Sequence, residues 1–295
     1  MCGEKNPYMH GIEEIHKKHY YVPMNRKNRI IKLLLGVLFT GHVFASAISG
    51  EAQKKIDEFM KLRMEITACS TQQEALSKVE AFEKQFQPQK SSFNQEENLI
   101  IDNFIILEKY NCYSKMGWSS SNLRNIMKTQ KEILEVYFKT NPRKQANKWL
   151  VCTYGDVLSC FMAFSVGDVL KCGLTVKDCY DSVIKEDPSF SYGLTNAAQW
   201  YYWAPGINGG SKKKAGQYFE KAVSSARNSA EKYFAEVFYS QYLLENKQKE
   251  QSTVHLDNAR ALCPSSKTVQ ELKTLNASGK SMFAASKEKS SFKDN

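Results

Sequence analysis

From Glu51 onward, apolar residues recur at helical spacing and not in alternation. In "EAQKKIDEFMKLRMEITA", Ile56, Phe59, Met60 and Ile66 fall near one face. Leu99, Ile100, Asn103, Phe104, Leu107 and Tyr110 repeat the pattern up to a stop at Gly117. Leu123, Ile126, Met127, Ile133, Leu134 and Tyr137 carry it on to Pro142. Thr71 with Glu74 and Asn94 with Glu97 are spaced as capping boxes that open two of these helices. Strand-like alternation between hairpin turns is missing. The pattern predicts an all-α protein.

A second spacing recurs near the helix ends. It runs from a first residue to a bulky one four later, another three later, and a proline five beyond that. Val176, Tyr180, Val183 and Pro188 fit it, as do Ser252, Leu256, Ala259 and Pro264, and Gln130, Leu134, Tyr137 and Pro142. Ala215, Phe219 and Ala222 match without the proline, and Ala75, Val79 and Phe82 match with Pro88 one place late. Each set puts one packing face on a helix, and proline then helps to stop it. Helix-turn-helix units that bury their faces against their neighbours predict a solenoid.

These units resemble tetratricopeptide (TPR) repeats. Leu194, Ala197-Ala198 and Tyr201, followed by Ala215, Phe219 and Ala222, carry the resemblance in the best unit, about 189–227. The next unit, about 229–264, keeps Tyr239-Ser240 and Leu243 but has Glu236 where a bulky residue is expected. The unit ending at Pro188 has a good second helix and an unclear first one. A TPR-like, right-handed solenoid of helical hairpins is the fold this implies. Divergent hairpins would occupy 48–141, repeats 142–275, and a polar tail without order 276–295. The resemblance also implies a concave groove faced by Tyr192, Thr195, Gln199 and Tyr202, with Asn196 beside them and Phe234, Val237 and Gln241 from the next unit. Such a groove of rings and amides suits a protein partner, a peptide or a small apolar ligand.

The stretch "YYWAPGINGGSKKKAGQYFEKAV" invites a phosphate-loop reading. A P-loop needs glycine, four residues, then Gly-Lys-Ser/Thr after a strand. Here the serine precedes the lysines and a helix precedes the loop. An enlarged turn between two helices explains it better, with Pro205 ending one helix and Ser211 capping the next. Lys212, Lys213 and Lys214 oppose the helix dipole at that start, which suggests a docking edge for an acidic partner. Tyr202, Pro205, Gly206, Gly209, Gly210, Ser211, Lys214 and Ala215 are similar to one loop of the T-components of TRAP-type transporters. Those are periplasmic helical proteins that accompany a solute-binding protein.

Charge and address narrow the picture. The formal net charge is +10, and much of the excess lies before residue 48. The rest forms no concentrated basic stripe, which argues against nucleic acid. "MNRKNRIIKLLLGVLFTGHVFASA" has a basic start, a short apolar run from Leu33 to Phe39, and Ala45-Ser46-Ala47 at a cleavage spacing. It reads as a secretory signal peptide over 24–47, and its run is too short to span a bilayer. Residues 1–23 then form either an unnatural upstream extension or an unusually long leader. A soluble periplasmic or secreted protein, mature from about Ile48, is expected.

The candidate chemistry is sparse. After Ala47 the one histidine is His255, and neither a serine elbow nor a cysteine signature accompanies it. No catalytic residue, cofactor or metal set is assigned, and the rival reading is an exported helical hydrolase or transferase around His255. Seven cysteines follow Ala47. Cys160–Cys179 or Cys152–Cys179 would suit a link between adjacent helices, while small buried thiols in helix interfaces are the favoured reading.

Overall fold

A computed structural model describes residues 46–290. The predicted upstream segment and the body of the predicted signal peptide lie outside these residues. Short polar side chains set most of the helix starts by accepting a backbone N–H that the helix cannot satisfy itself. Ser49 opens α1 (Gly50–Glu65), Thr71 opens α2 (Gln72–Phe86) and Asn94 opens α3 (Gln95–Lys115). Ser119, Asn147, Ser165, Ser211, Asn228 and Ser266 do the same for α4 (Ser120–Thr140), α5 (Lys148–Met162), α6 (Val166–Glu186), α8 (Lys212–Ser225), α9 (Ser229–Glu245) and α11 (Lys267–Ala277). The series is completed by α7 (Ser191–Trp203), α10 (Lys249–Leu262) and α12 (Met282–Ser290). The Asn94–Glu97 capping box is complete. At Thr71 the glutamate reaches one residue further back, so that the Ser70 N–H donates to Glu74.

The predicted stops lie beyond helix ends. Pro142, Pro188, Pro205 and Pro264 follow α4, α6, α7 and α10 within two residues, and Gly117 takes the left-handed conformation (φ 82°) after α3. The repeated packing faces are buried. Val176, Phe219 and Ala259 are fully enclosed, as are Val79 and Leu134. Ile133, expected on the core face of α4, is exposed. It lies one position from Leu134, and the helix turns it outward.

Neighbouring helices pack as pairs, α5 on α6, α7 on α8 and α9 on α10, and each pair packs on the next through α6–α7 and α8–α9. The first helices also meet, α3 on α5 and α7 on α9. One continuous hydrophobic core runs through the described residues from Ile56 to Phe283. The unclear first helix before Pro188 is α5, an apolar helix carrying buried Trp149, Leu150, Val157 and Leu158.

Helix α1 lies across the first helices of these pairs. Phe59 meets Phe104 of α3 (centroids 5.8 Å apart), and Gln53 accepts a hydrogen bond from the Trp149 indole of α5 at 3.1 Å. Met60 and Arg63 share a narrow cleft with Tyr192 of α7 and Phe234 of α9. Helix α1 therefore covers part of the layer expected to be open.

As far as Ser290, the tail differs from expectation. Asn276 and Ala277 complete α11, and the polar stretch after them forms α12, whose Phe283 is 2% exposed. The aromatic ring of α12, Phe283, finds an aromatic seat among Tyr202, Trp203 and Phe219, and Met282 packs on the core beside it.

Candidate functional site

The central cavity follows from a single charge in an apolar helix. Between Lys148 and Asp168 the one charged residue is Asp156. Its carboxylate is half-buried on α5 and draws three donors from two other helices. The Tyr180 hydroxyl of α6 donates to Oδ1 at 2.7 Å, and the Tyr192 hydroxyl of α7 donates to Oδ2 at 2.5 Å. Asn196 Nδ2 donates to Oδ2 at 3.3 Å. Gly155 makes room for this, since a Cβ there would come within 2.9 Å of the Tyr180 ring.

These groups line a cavity of about 310 Å³ together with Arg63, Asn111, Gln199, Trp200 and Trp203. That volume is at the small end of ligand sites. Arg63 of α1 donates from Nε to Glu108 at 2.9 Å, and its guanidinium lies over the Phe234 ring at 4.9 Å. A guanidinium carries five N–H donors, so these contacts leave donors over. Burial pushes the Asp156 carboxyl up to about 6, against the tyrosine hydroxyls and Arg63, which favour its charge. Burial also pushes the Cys160 thiol of the same wall up to about 12, so it stays protonated.

The structure brings together part of the residue set expected for the groove. Tyr192, Asn196 and Gln199 line this cavity, and Thr195 and Phe234 line the cleft beside Arg63. Tyr202, Val237 and Gln241 lie elsewhere. Val237 is buried. The Tyr202 hydroxyl donates to Glu245 at 2.7 Å, and Gln241 accepts from the Met282 N–H at 2.9 Å. Both are contacts on or beside α12. The charges at 63 and 156 escape a search for aromatics and amides. The signal of Asp156 is a lone charge inside an apolar stretch, beside Val157 and Leu158, whereas Arg63 stands between Lys61 and Glu65 and carries no such signal.

The glycine stretch is a built turn. Residues 206–208 form a 3-10 turn, Gly209 is left-handed (φ 89°), and the Ser211 N–H donates to the Tyr201 carbonyl at 2.9 Å. A Cβ on Gly210 would lie 1.8 Å from the Ala204 carbonyl oxygen. Of the three lysines, Lys214 turns inward, 4.0 Å from the Tyr201 ring centroid and 3.6 Å from Asp181. These contacts offset the cost of a cation at a helix start. Lys212 lies 5.4 Å from the Tyr202 ring centroid, and Lys213 is exposed. The expected docking edge is therefore shared between surface and structure.

His255 bonds through Nδ1 to Glu236, which Lys232 also reaches at 3.5 Å. The glutamate that interrupts the repeat pattern is thus a buried carboxylate held by its own helix and the next. All seven cysteines among the described residues are unbonded, and six of them are buried. No protein-family model matches the chain and no curated protein matches it, so the fold and the cavity carry the reading of its role.

Proposed function

We propose that this chain is an exported, non-enzymatic TPR-like scaffold that holds a small polar-headed ligand in the Asp156 cavity. The observation that carries the reading is that Arg63 and Asp156, opposite charges from different helices, line one cavity walled by Trp200 and Trp203. An acceptor, a cation and flat apolar walls suit a small zwitterion with an apolar body. The expected apolar ligand becomes one with charged ends. The α1 helix across the first helices favours a small molecule over an extended peptide at this place. Pairwise helix packing and the turn after α7 support the similarity to T-components, and hence a role beside a periplasmic solute-binding protein.

The test is native mass spectrometry of the full chain recovered from an export-competent host, with an Arg63→Ala/Asp156→Asn variant beside it. A bound small molecule in the wild type that the variant lacks is the expected result. An empty wild type, with no thermal shift across a panel of amino acids and betaines, overturns the ligand reading. Recovery of a solute-binding protein alongside supports the transporter role.

A second reading follows from the raised Asp156 carboxyl, which would suit proton transfer in an exported hydrolase or transferase. Its nucleophile would come from the same wall, where Ser159 sits 3.3 Å from the Tyr180 hydroxyl and Cys160 is held as a thiol. Neither is paired with a base there, and binding remains the better account.

A further inference from the structure

The C-terminal helix is seated as a ligand is seated. Ser281 and Phe283 are both buried, at 1% and 2% exposure. The Phe283 ring lies 4.5 Å from Tyr202, 5.8 Å from Trp203 and 6.3 Å from Phe219. Gln241 accepts the Met282 N–H at 2.9 Å, and Glu245 accepts the Ser281 hydroxyl. Lys287 then reaches the Tyr202 hydroxyl at 3.2 Å and Glu245 at 3.8 Å. Gln241 takes the backbone, Glu245 the hydroxyl and the ammonium, and Tyr202 the ring and the ammonium. An acidic residue beside a helix start adds a favourable dipole interaction.

The tether is permissive. Gly279 takes the left-handed conformation (φ 80°) between α11 and α12, and the space around it is open. Helix α12 packs chiefly on α9. It closes a surface of α7, α8 and α9 that includes Tyr202 and Gln241, two of the positions expected in the groove.

We propose that Tyr202, Trp203, Phe219, Gln241 and Glu245 form a peptide-docking site, held closed in cis by the tail. Its partner is a protein helix that begins Ser-X-Phe and carries a lysine six residues after the serine. The site shares the Trp203 ring with the Asp156 cavity and is otherwise built from different residues, and its test reads the peptide and not what the cavity holds. The tail reads as a self-ligand that such a partner displaces, in the mode of a helix laid on an aromatic surface.

Fluorescence anisotropy with a labelled peptide of residues 278–290 tests it on three chains: the full chain, a chain ended after Lys280, and the full-length Phe283→Ala variant. Both opened chains are expected to bind the peptide saturably. The full chain should bind about tenfold more weakly or worse, because a short tether holds its tail at roughly millimolar effective concentration. A peptide carrying Phe283→Ala should not bind. The Phe283→Ala chain keeps the test alive should the shortened chain fail to fold. Opened chains with intact helical circular dichroism that ignore the peptide would overturn the proposal. So would loss of helicity in both, which would make α12 an inseparable part of the core.

Discussion

The Tyr192 hydroxyl donates to Asp156 Oδ2 at 2.5 Å, tying α7 to α5 across the floor of the cavity. Burial outweighs this donor, the Tyr180 hydroxyl and Arg63, and the carboxyl is pushed up to about 6. The ordinary value in an unfolded chain is lower, at 3.8. A group raised in the folded state stabilises fully below its unfolded pKa, and that contribution is lost as pH rises through the folded value. Asp156 should therefore favour the fold below about pH 4 and cost roughly 3 kcal/mol above about pH 6, at 1.36 kcal/mol per pKa unit. Asp168, Asp181 and Asp187, held low by their partners despite burial, have the opposite sign. The difference between wild type and Asp156→Asn isolates the term. Melting temperatures from pH 4.5 to 7.5 should show the variant gaining on the wild type as pH rises. A constant difference would contradict the burial argument.

The turn after α7 makes a graded prediction. Gly210→Ala drives a Cβ into the backbone at Ala204, with no side chain to give way, and should cost about 3 kcal/mol or more. Gly209→Ala meets a left-handed backbone and should cost about 1–2 kcal/mol. Gly206→Ala has nothing within 4 Å and should fall within about 0.5 kcal/mol of wild type. Urea midpoints give the order, and an equal effect at all three would show that the turn is not built as described.

Much of this turn is legible in the sequence, because proline, glycine and an N-capping serine act locally. The helix starts and stops are legible for the same reason. The packing faces are legible through their 3–4 spacing, as Val176, Tyr180 and Val183 show. Long-range choices are not. Nothing in "EAQKKIDEFMKLRMEITA" says that α1 lies across four other helices, since its apolar stripe would suit any partner. The tail looks unable to fold because its composition is polar, yet as far as Ser290 it forms α12, seated by Phe283. Asp156 stays hidden until α6 and α7 put three donors on it.

The lysines in the first turn of α8 should separate cleanly, as Lys213 and Lys214 show. Lys214→Ala removes the donor to the Tyr201 hydroxyl at 2.6 Å and the cation over two tyrosine rings. A loss of about 1–2 kcal/mol is expected, from a charged hydrogen bond and ring contacts at a half-buried place. Lys213→Ala should be neutral for stability, within about 0.5 kcal/mol. If Lys213 serves a partner, its loss will show in pull-downs and not in melting curves.

Cysteine reactivity follows from burial. Desolvation pushes up the Cys112, Cys152, Cys160 and Cys179 thiols, with Cys112 and Cys179 at about 11. A protonated, enclosed thiol is a poor nucleophile. Titration with Ellman's reagent at pH 8 should therefore be slow in the native protein and rapid in denaturant. A fast native phase reporting several thiols would mean that these helix interfaces open.

A buried amide ladder joins α3, α4 and α5. Gln130 Nε2 donates to Asn103 Oδ1 at 2.7 Å, and Asn103 Nδ2 donates to Thr153 Oγ1 at 2.9 Å. Asn103 is fully enclosed and Gln130 nearly so. Thr153 also donates to the Trp149 carbonyl at 2.8 Å, so it keeps a partner if Asn103 is lost. Gln130 does not. Asn103→Leu should cost about 1–3 kcal/mol, chiefly by stranding the Gln130 amide in a dry interface. Adding Gln130→Leu should recover part of that loss, because replacing both partners removes the unmet group. A double-mutant cycle by urea denaturation reads the coupling. Simple additivity of the two losses would mean that water reaches Gln130 and that the ladder is not sealed.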